Sequence, residues 1–400
     1  MNCCLLRRGL ISILLVINLN QCKRDAFDVD ANLQYCNQQA QKTLKECPAD
    51  ALPRNVDNGQ TKWRYVPVHD WTSGFWPGIL WKLHEATGDE KWKTAADKYT
   101  QLLKPLSQQP ARDHDLGFQI YTSFGNAYRL THDTAYKAVV LRTADTLATL
   151  FNPKVGTILS WPGMVKEKGW PHNTIIDNLI NLELLFWASK NGGRKELYDI
   201  AQQHALTTMK NHFRENYTSY HVVIYDTLTG KKIKGVTHQG FNDESMWARG
   251  QAWSIYGFTM IYRETHNNQF LDFAQHVADA YLQRLPEDMI PYWDFDAAGL
   301  KDQPRDASAA AITASALLEL SQYVDKSKAL NYRSLAEKML QTLSSSKYQS
   351  REQNSSFLLH STGHKPKGTE VDASIIYADY YYLEALIRLQ KMRKNESSEN

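Results

Sequence analysis

Cysteine is scarce in this chain of 400 residues: of five, Cys3, Cys4 and Cys22 fall near the start, leaving Cys36 and Cys47. A single pair makes neither a disulfide framework nor a four-ligand metal site, although an oxidising compartment would let the two join. The chain also lacks HExxH, a CxxC pair, a Walker-type or GxGxxG loop, and GxSxG. Metalloprotease, nucleotide-binding and serine-hydrolase chemistries therefore miss their physical requirements, and neither a metal nor a cofactor is expected. Strong charge is absent too. A formal net charge of +3 with scattered basic residues gives no nucleic-acid footprint, yet would not repel an acidic substrate. No linker rich in proline, glycine or serine divides the chain, so a single domain is expected over residues 30–392.

The longest apolar run, Leu10 to Leu19, is too short to span a bilayer. With Arg7-Arg8 before it and Cys22 after it, residues 1–22 read as a secretion signal. Leu19-Asn20-Gln21-Cys22 resembles a bacterial lipoprotein cleavage box, with Gln21 where a small residue is expected. The expectation is an exported protein of a Gram-negative bacterium, periplasmic or anchored to the outer membrane by lipid on Cys22. Membrane contact is expected only through that anchor, and the protein is expected to be a monomer.

Aromatic residues, in contrast, are abundant. Eleven tryptophans and twenty-one tyrosines supply flat amphipathic rings that suit either interior packing or stacking on sugars.

Helical periodicity marks twelve segments: 30–45, 75–88, 90–105, 117–131, 133–151, 177–190, 194–213, 245–265, 268–285, 307–324, 328–345 and 372–392. Almost no convincing strand interrupts them apart from a short hairpin around Ser219–Asp226 and Thr229–Lys232. Links such as Thr87-Gly88-Asp89 and Asn191-Gly192-Gly193 are short, so neighbouring helices form antiparallel hairpins. If the first helix closes on the last, six hairpins make an all-α (α/α)6 toroid. An aspartate recurs where each long loop enters a helix: Asp70, Asp115, Asp177, Asp243, Asp306 and Asp372. Aspartate is a favoured cap, which accounts for such a series without function, but a ring of helices starting at one rim would aim these carboxylates at a common cavity.

The stretch His238–Trp253 is the most unusual. Asn242 reads as a helix N-cap with Asp243 and Glu244 at the positive end, and the helix beyond is apolar nearly all round. Arg249 would then be buried, with no carboxylate on its own helix within reach, and must pair with an acid from elsewhere or with an anionic ligand. Asp177, between Ile176 and Leu179, sits in an apolar setting that raises a carboxyl pKa toward a general acid's range. Asp115 follows His114 and precedes Gly117, which leaves room for close approach. Two carboxylates in different surroundings are how hydrolases separate acid from base duties, although a buried capping aspartate is an equally good reading of each alone.

His114-Asp115-Leu116-Gly117-Phe118, Ile176-Asp177-Asn178-Leu179, the His221 strand, Gln239-Gly240 and Ser245–Trp253 together resemble the unsaturated glucuronyl hydrolases of glycoside hydrolase family 88. The resemblance runs from about Trp71 to Leu386. It implies an (α/α)6 toroid acting on oligosaccharides left by polysaccharide lyases, of chondroitin, hyaluronan or heparin type, by hydrating the 4,5-double bond of the terminal unsaturated uronic acid. It further implies Asp177 and Asp115 as the catalytic pair, and His221, Gln239, Arg249, Trp253, Trp161 and Trp71 as substrate contacts. Two alternatives stay open: an unsaturated rhamnogalacturonyl hydrolase acting on pectin fragments, and a non-catalytic glycan-binding lipoprotein.

Overall fold

The computed structural model describes residues 27–399; the proposed leader and Cys22 lie outside the described residues. In chain order the helices are α1 (Val29–Glu46), α2 (Phe75–Thr87), α3 (Glu90–Leu102), α4 (Asn126–Thr131), α5 (Thr134–Ala148), α6 (Pro162–Glu167), α7 (Asn178–Lys190), α8 (Glu196–Asn211), α9 (Ala248–Thr265), α10 (Asn268–Leu282), α11 (Ala307–Leu320), α12 (Lys326–Leu343) and α13 (Ile376–Glu399). A π-helical segment, Gly117–Gly125, runs directly into α4. Every expected helical segment has a counterpart, and the one-turn α6 is additional.

Six inner elements touch in a closed ring: α2, the π-segment with α4, α7, α9, α11, α13, and α2 again. Each carries an outer partner, respectively α3, α5, α8, α10, α12 and α1. This is the (α/α)6 toroid. Composition decides which layer a helix joins. In α11 every residue from Ala307 to Leu320 is buried, and its many alanines let neighbouring helices approach closely. Outer α3 instead buries one stripe, Trp92, Ala96, Tyr99 and Thr100. The hairpin turns follow local chemistry: Gly88 ends α2 at φ +68°, and its N–H donates to His84 O at 2.8 Å. Asp89 then caps α3 by accepting from Lys91 N at 3.0 Å.

All six inner elements therefore begin at one rim and end at the other. The far rim encloses a cavity of about 360 Å³ whose charges compensate one another, as in Lys82–Glu384 at 3.0 Å and Lys391–Glu85 at 2.5 Å. The near rim collects the positive ends of the inner helices.

Two expectations need correction. Strands are more numerous than the sequence led us to expect: β1 (Leu52–Val56), β2 (Arg64–Val66), β3 (Phe151–Asn152), β4 (Thr157–Ile158), β5 (His172–Ile175), β6 (Val222–Tyr225), β7 (Lys232–Val236) and β8 (Ser374–Ile375). Two of the five pairings, β1 with β8 and β5 with β6, span long sequence separations that no local hairpin signal betrays, and the other strands are only two to five residues long. The expected hairpin is β6–β7, and β5 adds to its other edge with Ile175 opposite Val222. Second, α9 begins at Ala248, not after Asn242. Asn242 closes a separate turn, accepting from Ser245 N at 3.1 Å through its carbonyl and from Glu244 N at 2.9 Å through its side chain. Contacts from residues 293–296 hold the intervening backbone extended, with Ala248 N on Trp293 O at 3.1 Å and Met246 N on Asp296 Oδ2 at 2.8 Å. Cys36 and Cys47 are separate buried thiols.

Candidate active site

The near rim opens into a cavity of about 340 Å³, within the range of small-ligand sites. Its floor is built by two helix starts forced together. A Cβ on Gly117 would stand 2.6 Å from the Asn181 Cα, so only glycine lets the π-segment lie this close to α7. Asn181 Oδ1 accepts from Phe118 N at 2.8 Å and seals the contact. Asp115, just before the π-segment, thereby meets Asp177, just before α7. Strand β5 sets the position of Asp177, since Ile176 N donates to His221 O at 3.0 Å at the end of the β5–β6 ladder.

His114 lies between the two carboxylates, 1% exposed. Its Nδ1 is 3.0 Å from the carbonyl of Ser160, so Nδ1 carries a proton. Its Nε2 is 3.4 Å from Asp115 Oδ1 and 3.5 Å from Asp177 Oδ1. Burial alone would strip the ring's charge, but Asp115 and Asp177 outweigh it and push the pKa up to about 10. For Asp115, burial pushes the carboxyl well above the usual range; Asp113, Asp177 and Asp70 add to this, and His114 opposes it. The apolar setting expected for Asp177 is thus found more fully at Asp115, while the Asp177 side chain is 14% exposed.

The walls are aromatic. Trp161 stands edge-on to His221 at 5.8 Å and to His238 at 5.3 Å. Trp71 lies against Tyr377 at 5.0 Å, with the Arg54 guanidinium 5.9 Å from its ring. Trp253 also borders the cavity but is almost wholly buried, packed on Phe118 at 5.2 Å and Tyr381 at 5.3 Å.

Arg249 borders the cavity and has its acid from elsewhere in the fold. Nη1 donates to Asp306 Oδ2 at 2.9 Å and to Thr362 O at 2.5 Å, and Nη2 donates to Gly363 O at 2.6 Å. Gln239, also on the cavity, donates to the same Gly363 carbonyl at 3.1 Å. His221 stands behind the wall instead of lining it. Its Nδ1 accepts from His238 N and Gln239 N, each at 3.1 Å, which places the proton on Nε2, and burial keeps the ring neutral. It orients the backbone that carries Gln239.

Of the six recurring aspartates, Asp115 and Asp177 face the cavity and Asp306 sits beneath it as the partner of Arg249. Asp70 pairs with Arg54 at 2.6 Å, while Asp243 and Asp372 bind Thr237 N and His360 and take no part. Sequence reasoning missed Arg54, Trp247, His238, His364, Lys367, Glu370 and Tyr377, all on the cavity. Trp247 lay in plain view within the stretch 238–253. Arg54 carried a weak signal, a charge inside the apolar pattern of β1; it is held by Glu370 at 2.5 Å, a contact across 316 positions that no local pattern announces. Among the described residues no group of three His, Cys, Asp or Glu could hold a metal ion.

A helical toroid with paired carboxylates beneath an aromatic, cation-flanked cavity defines a carbohydrate-active enzyme of the (α/α)6 class. The model of Glycosyl Hydrolase Family 88 matches residues 37–392, and the chain belongs to that family. Among its relatives is an unsaturated glucuronyl hydrolase of Formosa agariphila, 44% identical over 349 residues that cover 86% of each chain. An unsaturated chondroitin disaccharide hydrolase of Streptococcus pneumoniae is 35% identical over 330 residues, 80% of this chain and 82% of that one. A crystal structure of an unsaturated glucuronyl hydrolase specific for heparin superposes with a TM-score of 0.87 at 43% identity, covering 92% of this chain and 98% of the other.

Proposed function

We propose that the enzyme hydrates the 4,5-double bond of the unsaturated uronic acid at the non-reducing end of glycosaminoglycan fragments, and so releases that residue from the next sugar. The observation that carries this reading is the meeting of Asp115 and Asp177 around His114 on the floor of the cavity. Asp177, the more exposed carboxyl, gives its proton to C4. The resulting cation at C5 takes up water, whose proton returns to Asp177, so the elements of water add across the double bond and the acid is regenerated. The product is a hemiketal. Its ring opens, leaving C1 as a hemiacetal that collapses and frees the next sugar.

Asp115 holds the ring hydroxyls. Gln239, Trp161, Trp71, Arg249 and Trp253 surround the sugar, and His221 supports them from behind. An anionic uronate suits a rim that gathers inner-helix N-termini and places Arg54 and Arg249 on the wall. The residue-1–22 leader supports export to the periplasm or a lipid anchor at Cys22.

The relatives' names span chondroitin and heparin substrates, so the test is a panel of lyase-derived disaccharides: chondroitin, hyaluronan and heparin types, sulfated and unsulfated, plus a pectin-derived one. Loss of the ultraviolet absorbance of the conjugated double bond is followed with and without chelator. Turnover of glycosaminoglycan disaccharides unaffected by chelator is expected. Turnover confined to the pectin fragment, or turnover that a chelator abolishes and a divalent ion restores, would overturn the reading.

A further inference from the structure

Among the described residues, His114 is the ionisable side chain whose ring lies within 3.5 Å of both carboxylates, and neither the aromatic wall nor the substrate reading above accounts for it. Its ring cannot turn away. Nδ1–H is tethered to the Ser160 carbonyl at 3.0 Å, and the His114 backbone N–H donates to that same carbonyl at 3.1 Å. Ser160 is in turn fixed from the β5–α7 side: its N–H donates to Asn173 O at 2.8 Å, and its hydroxyl accepts from Ile175 N and Asn178 Nδ2, each at 3.0 Å. The free end of the ring, Nε2, is thereby set nearly equidistant from Asp115 Oδ1 and Asp177 Oδ1, at 3.4 and 3.5 Å.

We propose that His114 is a positioning residue for the proton itself: a fixed imidazolium whose Nε2 serves both carboxylates, passing one proton between Asp115 and Asp177 and supplying the positive charge that stabilises whichever of them is ionised. This rests on the proposed function, in which Asp177 is the donor. The ionisable groups that act electrostatically on the ring are Asp115 and Asp113 from its own loop and Asp177 at the start of α7; His204 of α8, kept neutral by burial, is also within electrostatic reach, and Asp70 acts on Asp115.

The transfer balances. Burial favours a proton on Asp115. Nε2–H gives its proton to Asp177 while the Asp115 hydroxyl gives its own to Nε2. The ring ends charged as it began, Asp115 becomes the carboxylate, and Asp177 becomes the acid that faces C4. Without the imidazolium the proton would stay on the more buried carboxyl, and the conjugate base formed on protonating C4 would lose its counter-charge.

The test compares His114→Gln with Asp177→Asn and the wild type on an unsaturated disaccharide that the wild type turns over. His114→Gln keeps a donor but cannot carry charge or relay a proton. Its kcat is expected to fall about tenfold or more with KM little changed, and the alkaline limb of its pH profile to move upward by about one unit, because the carboxyls lose a stabilising cation. A KM effect alone, or wild-type kcat and pH profile, would overturn the proposal. Nitrogen NMR of the wild-type histidines gives a second measurement that needs no variant to fold: His114 should be protonated on both nitrogens at pH 8, and a singly protonated ring there would also overturn it. Asp177→Asn separates the two hypotheses. If it keeps near-normal turnover, the donor assignment fails, whatever His114→Gln does.

Discussion

Arg249→Ala offers the sharpest energetic test, because the structure decides between the two partners that the sequence left open. Arg249 and Asp306 are 1% and 0% exposed, and the guanidinium makes three hydrogen bonds, to Asp306, Thr362 and Gly363. Removing one member of a buried ion pair typically costs roughly 3–5 kcal/mol, because the other charge stays buried without its partner. The lower end is expected here. Asp306 keeps Ser308 N at 3.0 Å, the Ser308 hydroxyl at 2.5 Å and the Thr362 N–H at 3.3 Å. About 3 kcal/mol should lower the melting temperature by about 4 °C in a domain of this size. Calorimetry measures it, and adding Asp306→Asn should restore part of the loss, since no uncompensated carboxylate then remains. Because Gly363 O also receives Gln239, kcat/KM should fall in the surviving folded fraction. An unchanged melting temperature would refute the argument and return Arg249 to a purely ligand-facing role.

Asp177→Asn should lose about 10²–10⁴-fold in kcat with binding retained, read by turnover beside calorimetric titration of intact disaccharide. Gly117→Ala puts a methyl 2.6 Å from the Asn181 Cα, so it should cost roughly 1–3 kcal/mol, seen in denaturant melts, and lower kcat by parting the two helix starts that carry Asp115 and Asp177. Burial pushes His172 down to about 4 and His212 down to about 3 from a usual 6.5. The unfolded chain therefore binds more protons below pH 6.5, and stability should drop as pH falls from there toward 4, by about 1.4 kcal/mol per unit for each such histidine. His172→Gln should flatten that dependence in melting temperature against pH; an identical slope would remove His172 from the account.

The helical ring was legible because inner and outer helices obey one period, and the tight turns at Gly88 and Asn191-Gly192-Gly193 announce their pairing. So was the Gly117 contact, since a glycine beside a functional aspartate signals close approach. What local reading could not reach was partnership across distance. β5 pairs with β6 only after the whole α7–α8 hairpin intervenes, and Asp306 finds Arg249 across 57 positions. The start of α9 differs from the expected one for the same reason: Asn242 is a good local cap, but Trp293 and Asp296 capture the backbone that would have continued the helix. The resemblance implies His221 as a contact; the geometry shows both neighbouring N–H groups turned onto its Nδ1.

The closure of α13 on α2 also carries a consequence for biogenesis. Tyr377 and Glu370 border the same cavity as Arg54, and β1 pairs with β8 through Asn55 and Ile375, so the wall spans nearly the full length of the polypeptide. Such contacts join residues more than 300 positions apart, as Arg54 and Glu370 are at 316, and are expected among the slowest to form. A nascent chain that has delivered five of the six inner helices still holds a gap where that wall belongs. Catalytic competence should therefore arise in one late step, when the C-terminal segment docks, and not accumulate hairpin by hairpin as translation proceeds.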